Sequence, residues 1–316
     1  MRADRALARA CVIAVLVLSG CGGDEPEPPV AEEPPASETA VPQQTAPPAD
    51  TSAPPPDNGS GGASPAINSV TVDPGDGTIM VGAGPALYRV EPGSKTGKEV
   101  VGQLEGGTVS GNLVVRFAGP NDLLASGHPK EGDLPENIGL MRSSDHGDTW
   151  TLEDGVEEAD YHELEIAGDQ LIAVEVEAPD IKVSRDGGRS WETRTPPDAP
   201  IDVVVNPGDA DHWAVSTEQG TFVSTNGGRS WRPRDTTFGA RLLWPSEDSL
   251  FSIDRNGLIR VSKDGGRSWE DRGEVGGLPS EVTVGRKDEL LVAVIGGKLK
   301  RSRDSGKTWS TAATLR

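Results

Sequence analysis

Two stretches of the chain concentrate side chains suited to metal binding or acid–base chemistry. The first is the polar segment Gly127–Gly139, and the second is a run of four residues that begins at Asp160. Imidazole and carboxylate groups ligate divalent metals and also act as general acids and bases. Capping and hydrogen bonding on a solvated rim is the alternative role. The side chains are those of His128, Lys130, Glu131, Asp133, Asp160, Tyr161, His162 and Glu163.

A different pattern, with the form S-x-[D/N]-x-G-x-[S/T]-W, recurs five times along the chain. The tryptophans that end these octets are 41, 40, 38 and 40 residues apart. A repeat at such a period indicates an architecture in which each unit is one supersecondary element. The octets are Ser143–Trp150, Ser184–Trp191, Ser224–Trp231, Ser262–Trp269 and Ser302–Trp309.

Each octet has the composition of a hairpin turn that satisfies its own polar groups. The Asp or Asn side chain accepts hydrogen bonds from nearby backbone N–H groups, the central glycine supplies a positive φ, and the tryptophan packs beside the turn. One carboxylate per octet is too few for Ca²⁺, which prefers several oxygen ligands. The pattern therefore predicts structural roles for Asp145, Asp186, Asn226, Asp264 and Asp304, and for Trp150, Trp191, Trp231, Trp269 and Trp309.

The octets resemble the Asp-box, or BNR, repeat of sialidases, sortilin-type receptors and related β-propellers. In that family the box is the turn between the third and fourth strands of a blade. The resemblance implies an all-β fold, a six-bladed β-propeller of four-stranded antiparallel blades over residues 66–316, which hold six units of about 40 residues. The whole region is similar to bacterial secreted or lipid-anchored propellers described as sialidase-like or glycosyl-hydrolase-like.

Hydrophobic runs separated by turn residues predict an inner hairpin in every unit. The first unit lacks an octet, and its third and fourth strands are predicted at Ala86–Glu91 and Glu99–Leu104. No strand exchanged between the first and last units is recognisable, so ring closure is predicted to depend on packing alone. The predicted hairpins pair a strand beginning at Ser69 with Thr78–Val81, Val114–Phe117 with Asp122–Ala125, His162–Ile166 with Gln170–Val174, a strand beginning at Ile201 with Trp213–Val215, Arg241–Trp244 with Ser249–Ile253, and Glu281–Val284 with Glu289–Val294.

Strand order in such a propeller predicts which residues face the central funnel. The octets should lie at the bottom, while the inner strands should begin at the top, where propellers usually bind ligands. Gly127–Gly139 is predicted to be the longest upper loop, which would bring His128 within reach of Asp160, Tyr161, His162 and Glu163. Trp213 and Trp244 are predicted to belong to the core. The residues predicted to bind a ligand at the funnel are Asp160, Asp202, Arg241 and Glu281, with Asn68 and Ser69 beside them.

A sialidase active site requires residues that this chain does not supply in a recognisable form. The resemblance implies a nucleophilic tyrosine, a carboxylic acid/base and three arginines that bind the sugar carboxylate. The only tyrosines are Tyr88 and Tyr161, and Arg89 is predicted to lie on a third strand away from the funnel. Only Arg241 is predicted at the funnel. Tyr161, His162, Glu163 and His128 remain candidate catalytic residues for a glycoside hydrolase with a different active site.

The first part of the chain has the composition of a targeting signal followed by a tether. Arg2, Arg5 and Arg9 precede a short apolar run, and Leu18-Ser19-Gly20-Cys21 is similar to the lipobox of bacterial lipoproteins. The resemblance implies a signal peptide at residues 1–20 and a lipid on Cys21. Residues 24–65 hold 12 of the 26 prolines, eight acidic residues and no Lys or Arg. This composition predicts a disordered, extended tether over residues 21–65.

Composition narrows the possible partners. The chain of 316 residues has 30 Lys and Arg against 50 Asp and Glu, a net charge of −20, and this argues against a nucleic-acid partner. Cys11 and Cys21 are the only cysteines, which excludes a disulfide framework. No cofactor and no metal is required. The predicted function is a lipid-anchored module on the extracytoplasmic side of a bacterial cell membrane, binding a protein, glycan or cell-wall ligand at the funnel; a glycoside hydrolase is the alternative.

Overall fold

The computed structural model describes residues 66–315 except 85, 133, 136, 154–158 and 176–178, and it describes only the backbone of residues 129–132. The predicted signal peptide and tether, including Cys21, lie outside the described residues. The described part contains strands and one 3₁₀ helix, Arg286–Asp288, and the predicted all-β class is confirmed for it. No helix in this part is long and apolar enough to cross a membrane.

The strands follow one another along the chain and form antiparallel sheets. The first two groups are β1 (Ile67–Val72), β2 (Ile79–Ala83), β3 (Ala86–Val90) and β4 (Thr96–Val100), then β5 (Gly102–Leu104), β6 (Gly107–Gly119), β7 (Asp122–Gly132), β8 (Met141–Ser143) and β9 (Thr151–Leu152). The next two are β10 (Tyr161–Ala167), β11 (Gln170–Glu175), β12 (Ile181–Ser184) and β13 (Glu192–Arg194), then β14 (Pro200–Asn206), β15 (Asp209–Thr217), β16 (Gly220–Ser224) and β17 (Arg232–Asp235). The last two are β18 (Arg241–Ser246), β19 (Ser249–Ile253), β20 (Leu258–Ser262) and β21 (Glu270–Glu274), then β22 (Pro279–Val284), β23 (Leu290–Val294), β24 (Lys298–Ser302) and β25 (Ser310–Leu315).

Burial decreases from the second strand of each group to the outermost strand. The sequences IMVGA of β2 and LLVAV of β23 are buried at every position, because these strands are covered on both faces by neighbouring sheets. The outermost strands, such as RPRD in β17 and EDRGE in β21, carry charged and largely exposed side chains. The predicted inner hairpins of all six repeat units are confirmed by the strand pairs.

The innermost strands β1, β6, β10, β14, β18 and β22 lie side by side in that order, and β22 lies beside β1, so they form a closed ring. Side chains rather than a backbone ladder join neighbouring inner strands. Ser69 Oγ on β1 donates to Leu113 O at 3.2 Å and accepts from Val115 N at 3.0 Å, both on β6. Thr71 Oγ1 accepts from Phe117 N at 3.1 Å. Between β1 and β6, hydroxyl side chains therefore take the place of a backbone ladder.

The outer edges of the first and last groups also meet, which the sequence did not predict. Strands β25 and β4 pair in parallel through Thr314 with Thr96 and Leu315 with Gly97, and this joins the two groups into one eight-stranded sheet. The prediction of closure by packing alone is therefore wrong. The predicted fourth strand Glu99–Leu104 is also wrong in its second half. Residues after Val100 form β5, which turns through Gly106 (φ +94°) and pairs with β6.

The octets form turns with the predicted internal hydrogen bonds. In Ser184–Trp191, Asp186 Oδ1 accepts from Ser190 N and Ser184 Oγ, both at 2.8 Å, and Asp186 Oδ2 accepts from Ser190 Oγ at 2.6 Å. The predicted positive φ of the central glycines is confirmed, at 90°, 96°, 74°, 83° and 85° for Gly147, Gly188, Gly228, Gly266 and Gly306. The position before the glycine is also left-handed, although His146 and Ser305 occupy it in two octets.

Candidate functional site

The octets lie at the end of the ring where the inner hairpins turn. His146 in the first octet bonds through Nε2 to Asp73 Oδ2, just after β1, at 2.7 Å. Gly227 in the third octet donates to Asp211 O, near the β14–β15 turn, at 2.8 Å. The inner strands begin at the opposite end, which we call the mouth. Any ligand site at the mouth is therefore remote from the octets.

Two cavities lie along the axis of the ring. The mouth cavity, of about 240 Å³, is lined by Asn68, Asn112, Tyr161, His162, Arg241 and Glu281. The channel cavity, of about 230 Å³, has an apolar part of its lining, and its polar lining residues include Thr71, Arg116, Glu163, Glu165, Asp202 and Glu281. Glu281 lines both cavities. Arg241 Nη2 lies 2.6 Å from Glu281 Oε1, so this ion pair stands between the mouth and the channel.

The arginines of the channel are held by carbonyl groups as well as by carboxylates. Arg116 Nε donates to Leu164 O at 2.7 Å, and its Nη2 lies 3.2 Å from Glu163 Oε1 and 3.3 Å from Glu165 Oε2. These contacts join β6 to β10, and they fix a guanidinium group between two carboxylates. The side chains of Arg116, Glu163 and Glu165 are each less than a fifth exposed.

A second set of contacts joins β14, β18 and β22. Arg241 Nη1 donates to Ile201 O at 3.1 Å, while its Nη2 contacts Glu281. Asp202 Oδ2 accepts from Leu242 N at 2.8 Å. The cluster thus contains four carboxylates and two guanidinium groups, all on inner strands, and its formal charge is negative.

Burial of this charge shifts the pKa values of the acids upward. Desolvation, followed by the nearby charge of Asp202, raises the pKa of Glu163 to about 8. Desolvation raises the pKa of Glu165 to about 7, although Arg116 opposes the shift. The pKa values of Asp202 and Glu281 are also raised by burial, while Arg241 opposes both shifts. Burial therefore favours the protonated forms of these four acids, although two arginines lie among them.

The predicted histidine–carboxylate cluster is divided among different surroundings. His128 Nε2 and His162 Nε2 lie 3.4 Å and 3.2 Å from Asp160 Oδ1, so these three residues come together. Glu163 instead lies in the channel with Arg116. Tyr161 is buried beside Trp191, with ring centroids 5.1 Å apart, and burial raises its pKa to about 12. An irregularity in the pairing of β10 with β11 between Tyr161 and Glu163 accompanies this divergence.

The structure also tests the predicted upper loop and the two predicted core tryptophans. The predicted upper loop Gly127–Gly139 is wrong in its first part, because β7 continues to Gly132 and pairs with the extended start of β6. The side chains of Lys130 and Glu131, and all of Asp133, lie outside the described residues. Trp213 and Trp244 are buried, which confirms the core prediction, although Trp244 also borders the channel cavity.

Sequence reasoning missed Arg116 and Glu165. Both lie in strands that were predicted correctly. Arg116 follows Val114 by two residues, and Glu165 follows Glu163 by two. Because side chains two apart in a strand share a face, this spacing would have placed both residues towards the axis. The signal that was available is the charged residue in the apolar run Val114–Phe117.

The residues of a sialidase site do not assemble among the described residues. Arg89 binds Glu91 and Asp148 at 3.2 Å and 3.1 Å, near the first octet. Tyr88 is buried within the first group of strands. Arg116 and Arg241 are the arginines found in the channel cluster, and each is already paired with carboxylates.

No protein-family model matches the sequence, and no curated protein matches it. The fold is similar to the WD40 β-propeller domain of Doa1, with a TM-score of 0.52 and 10% identity over 80% of this chain and 83% of that chain. YCF48 bound to D1 peptide has a TM-score of 0.49 and 16% identity, over 79% of this chain and 82% of that chain. An ancestral GH74 enzyme has a TM-score of 0.47 and 16% identity; the match covers 79% of this chain but spans only 39% of that enzyme. The protein is a β-propeller by fold.

Proposed function

We propose that this chain is a six-bladed propeller with structural Asp-box turns, anchored by a lipid on Cys21, that binds a cationic group of a protein or cell-wall ligand at its mouth. The observation that carries the proposal is the excess of carboxylates over guanidinium groups in the inner ring. Glu163, Glu165, Asp202 and Glu281 are set against Arg116 and Arg241. An amine or guanidinium group entering at the mouth would favour the ionised forms of these acids, which burial otherwise keeps partly protonated.

The physical chemistry of the cluster favours such a ligand. Burial and mutual repulsion raise the pKa values of these carboxylates, so they hold protons when no further cation is near. A cation at Glu281, the acid that lines both cavities, reduces this repulsion. The amide groups of Asn68 and Asn112, which line the same mouth cavity, would add hydrogen bonds to the ligand.

Three peptides with different central residues test the proposal directly. Short peptides that differ only at one central residue, Arg, Lys or citrulline, are measured by fluorescence polarisation against the protein. Binding should be stronger for Arg and Lys than for citrulline, which has the same length without the charge, and it should weaken with salt. Equal binding of all three peptides, or no binding of any, would contradict the proposal.

A pair of variants locates the peptide site. Glu281→Gln removes the carboxylate shared by the two cavities, whereas the control Glu270→Gln removes an exposed carboxylate on β21. The first substitution should weaken binding of the Arg peptide, and the second should leave it unchanged. Equal affinities for the two variants would place the peptide elsewhere.

Glycoside hydrolysis is the second candidate. It is favoured by the raised pKa of Glu163, since a carboxylic acid that stays protonated near neutral pH is suited to protonate a leaving group. A screen of fluorogenic glycosides would support this reading if turnover is seen and is lost in Glu163→Gln. The buried, high-pKa Tyr161 is a poor nucleophile, which argues against the sialidase mechanism.

Anchoring through Cys21 is tested separately. In a bacterial host the intact chain should fractionate with membranes, and Cys21→Ser should prevent lipid attachment. Retention of acyl label by the Cys21→Ser variant would contradict this part of the proposal.

A further inference from the structure

We infer that His128, Asp160 and His162 form a binding site for a divalent transition-metal ion at the rim of the mouth cavity. One ring nitrogen of each histidine and a carboxylate oxygen of the aspartate lie within 4.8 Å of one another. The three residues come from β7, from the segment before β10 and from β10 itself. This inference uses none of the channel carboxylates and is independent of the proposed cationic ligand.

The two nitrogen–oxygen distances are close to those between donor atoms around a single metal ion. Zn²⁺ binds imidazole nitrogen and carboxylate oxygen at about 2.0–2.2 Å, so two donors at the corners of a tetrahedron are separated by roughly 3.3–3.6 Å. The two nitrogen–oxygen distances are 3.4 Å from His128 and 3.2 Å from His162. The imidazole rings are nearly perpendicular, at 87°, with centroids 5.9 Å apart, so they approach the carboxylate from different directions.

The pair formed by His146 and Asp73 is an ordinary histidine–aspartate hydrogen bond and serves as a comparison. His146 Nε2 lies 2.7 Å from Asp73 Oδ2, and the Asp73 carboxylate also accepts from Gly75 N at 2.6 Å and Asn121 N at 2.9 Å. Asp160 Oδ1 is buried and accepts no hydrogen bond from the described residues, although two imidazole nitrogens lie near it. Asp73 is already satisfied as a structural acid, whereas the Asp160 oxygen still needs a partner such as a cation.

The position of the cluster leaves room for a further ligand of the metal. His162 lines the mouth cavity and its side chain is about half exposed, at 47%. The segment is anchored by the hydrogen bond from Tyr161 N to Ser126 Oγ, at 3.2 Å, which holds the start of β10 against β7. Two histidines and one carboxylate leave coordination positions open. The site therefore suits a divalent ion that also binds water or an oxygen-donor ligand in the mouth.

The choice of ion follows from the ligand set. Imidazole nitrogen suits first-row transition ions such as Zn²⁺, whereas Ca²⁺ and Mg²⁺ prefer a shell of oxygen atoms. At the octet end of the ring, Asp73, Asp76 and His146 also bring three possible ligand atoms within 4.8 Å of one another. We assign no ion to it, because the oxygens of Asp73 are occupied by the hydrogen bonds described above.

Calorimetric titration of the full chain, prepared without a polyhistidine tag and stripped with chelator, tests the assignment with Zn²⁺ as the probe. We expect one saturable site. His162→Ala and Asp160→Asn should each weaken Zn²⁺ binding by more than about tenfold, while His146→Ala should bind as the unsubstituted protein does. Co²⁺ should give visible absorption bands that the first two variants lose.

Unfolding curves measured in chelator serve as the control for folding. If His162→Ala unfolds earlier than the parent, His128→Ala provides the second test of the same ligand set. No saturable Zn²⁺ binding by the parent protein would overturn the inference. So would binding that survives in Asp160→Asn and His162→Ala and disappears in His146→Ala, since the metal would then occupy the octet side of the ring.

Discussion

The carboxylates of the octets and those of the channel behave in opposite ways, although both sets belong to the same repeat. Asp186, Asp264 and Asp304 are at the surface, and their hydrogen bonds, first those from the following Ser or Thr, lower their pKa values to about 2. Glu163 and Glu165 are buried among other acids, and desolvation raises their pKa values to about 8 and about 7. Hydrogen-bond donors stabilise the charge in the first region, whereas burial disfavours it in the second.

The difference separates carboxylates whose hydrogen bonds stabilise the fold from carboxylates that remain available to a ligand. Each octet acid is saturated by donors from its own turn, so it offers little to a ligand. The acids of the channel outnumber their two arginines, and burial keeps them partly protonated near neutral pH. A repeated, saturated carboxylate is therefore a poor indicator of a site in this fold, and an unbalanced buried one is a better indicator.

The largest effect should come from removing a channel arginine. Arg116→Met leaves Glu163 and Glu165 without their guanidinium partner and should lower the free energy of unfolding by roughly 3–5 kcal/mol. The control Arg89→Met removes an arginine paired with exposed acids and should cost about 0–1 kcal/mol. Urea unfolding at neutral pH measures both. Similar losses for the two variants would contradict the distinction between channel and surface ion pairs.

A smaller effect is expected from the glycine of an octet. Gly188 has a φ of +96°, and an added Cβ would lie 3.0 Å from Leu140 Cδ2. Gly188→Val should therefore cost roughly 1–3 kcal/mol. Gly187→Asn is the matched control, since its φ is +76° in open space and other octets hold His146 and Ser305 there. Thermal unfolding measures both variants. A lower melting temperature for Gly187→Asn than for Gly188→Val would contradict the turn assignment.

The pH dependence of stability should reveal the channel acids. The folded pKa of Glu165 is raised to about 7 from an ordinary 4.5, so between these values the folded state binds more protons and stability falls as pH rises. Glu165 faces Arg116 and Asp202 from neighbouring strands and Glu163 on its own strand. Glu165→Gln should flatten this decline by roughly 1–3 kcal/mol. The free energy of unfolding is measured for both proteins from pH 5 to pH 8. The same change with pH in both would be inconsistent with a buried acid whose pKa is raised.

The smallest effect is expected from the octet acids, and it has the opposite sign. Their folded pKa values are lowered, so their contribution is present above the ordinary value of 3.8 and is lost as pH falls toward about 2. Asp186→Asn, Asp264→Asn and Asp304→Asn combined should remove part of the acid sensitivity. The chain already contains an octet with Asn226, whose Oδ1 accepts from Ser230 N at 2.9 Å and whose Nδ2 donates to Ser230 Oγ at 2.9 Å. Denaturation profiles at pH 5 and pH 2.5 provide the measurement, and an unchanged acid sensitivity would contradict the prediction.

The sequence predicted local structure well, because each repeat unit satisfies its own turns and buries alternating residues. The inner hairpins and the positive φ of Gly188 follow from a few neighbouring residues. What could not be predicted depends on contacts between units. Arg116 meets Glu163 only because β6 and β10 become neighbours, and the register of β25 beside β4 has no local signal. The sequence predicts that His128 comes near Asp160 and His162, but the distances between these side chains depend on how the units pack.

The parallel pair formed by β4 and β25 has a consequence for the solubility of the molecule. Every sheet in a ring of this kind has an outer strand whose backbone groups can recruit another chain. Here two of those strands cover each other, which leaves β9, β13, β17 and β21 as outer edges. Strand β9 has only two residues, and the other three are short and rich in charged side chains. Shortness and charge oppose strand addition, so these outer edges resist self-association of the protein through its sheets.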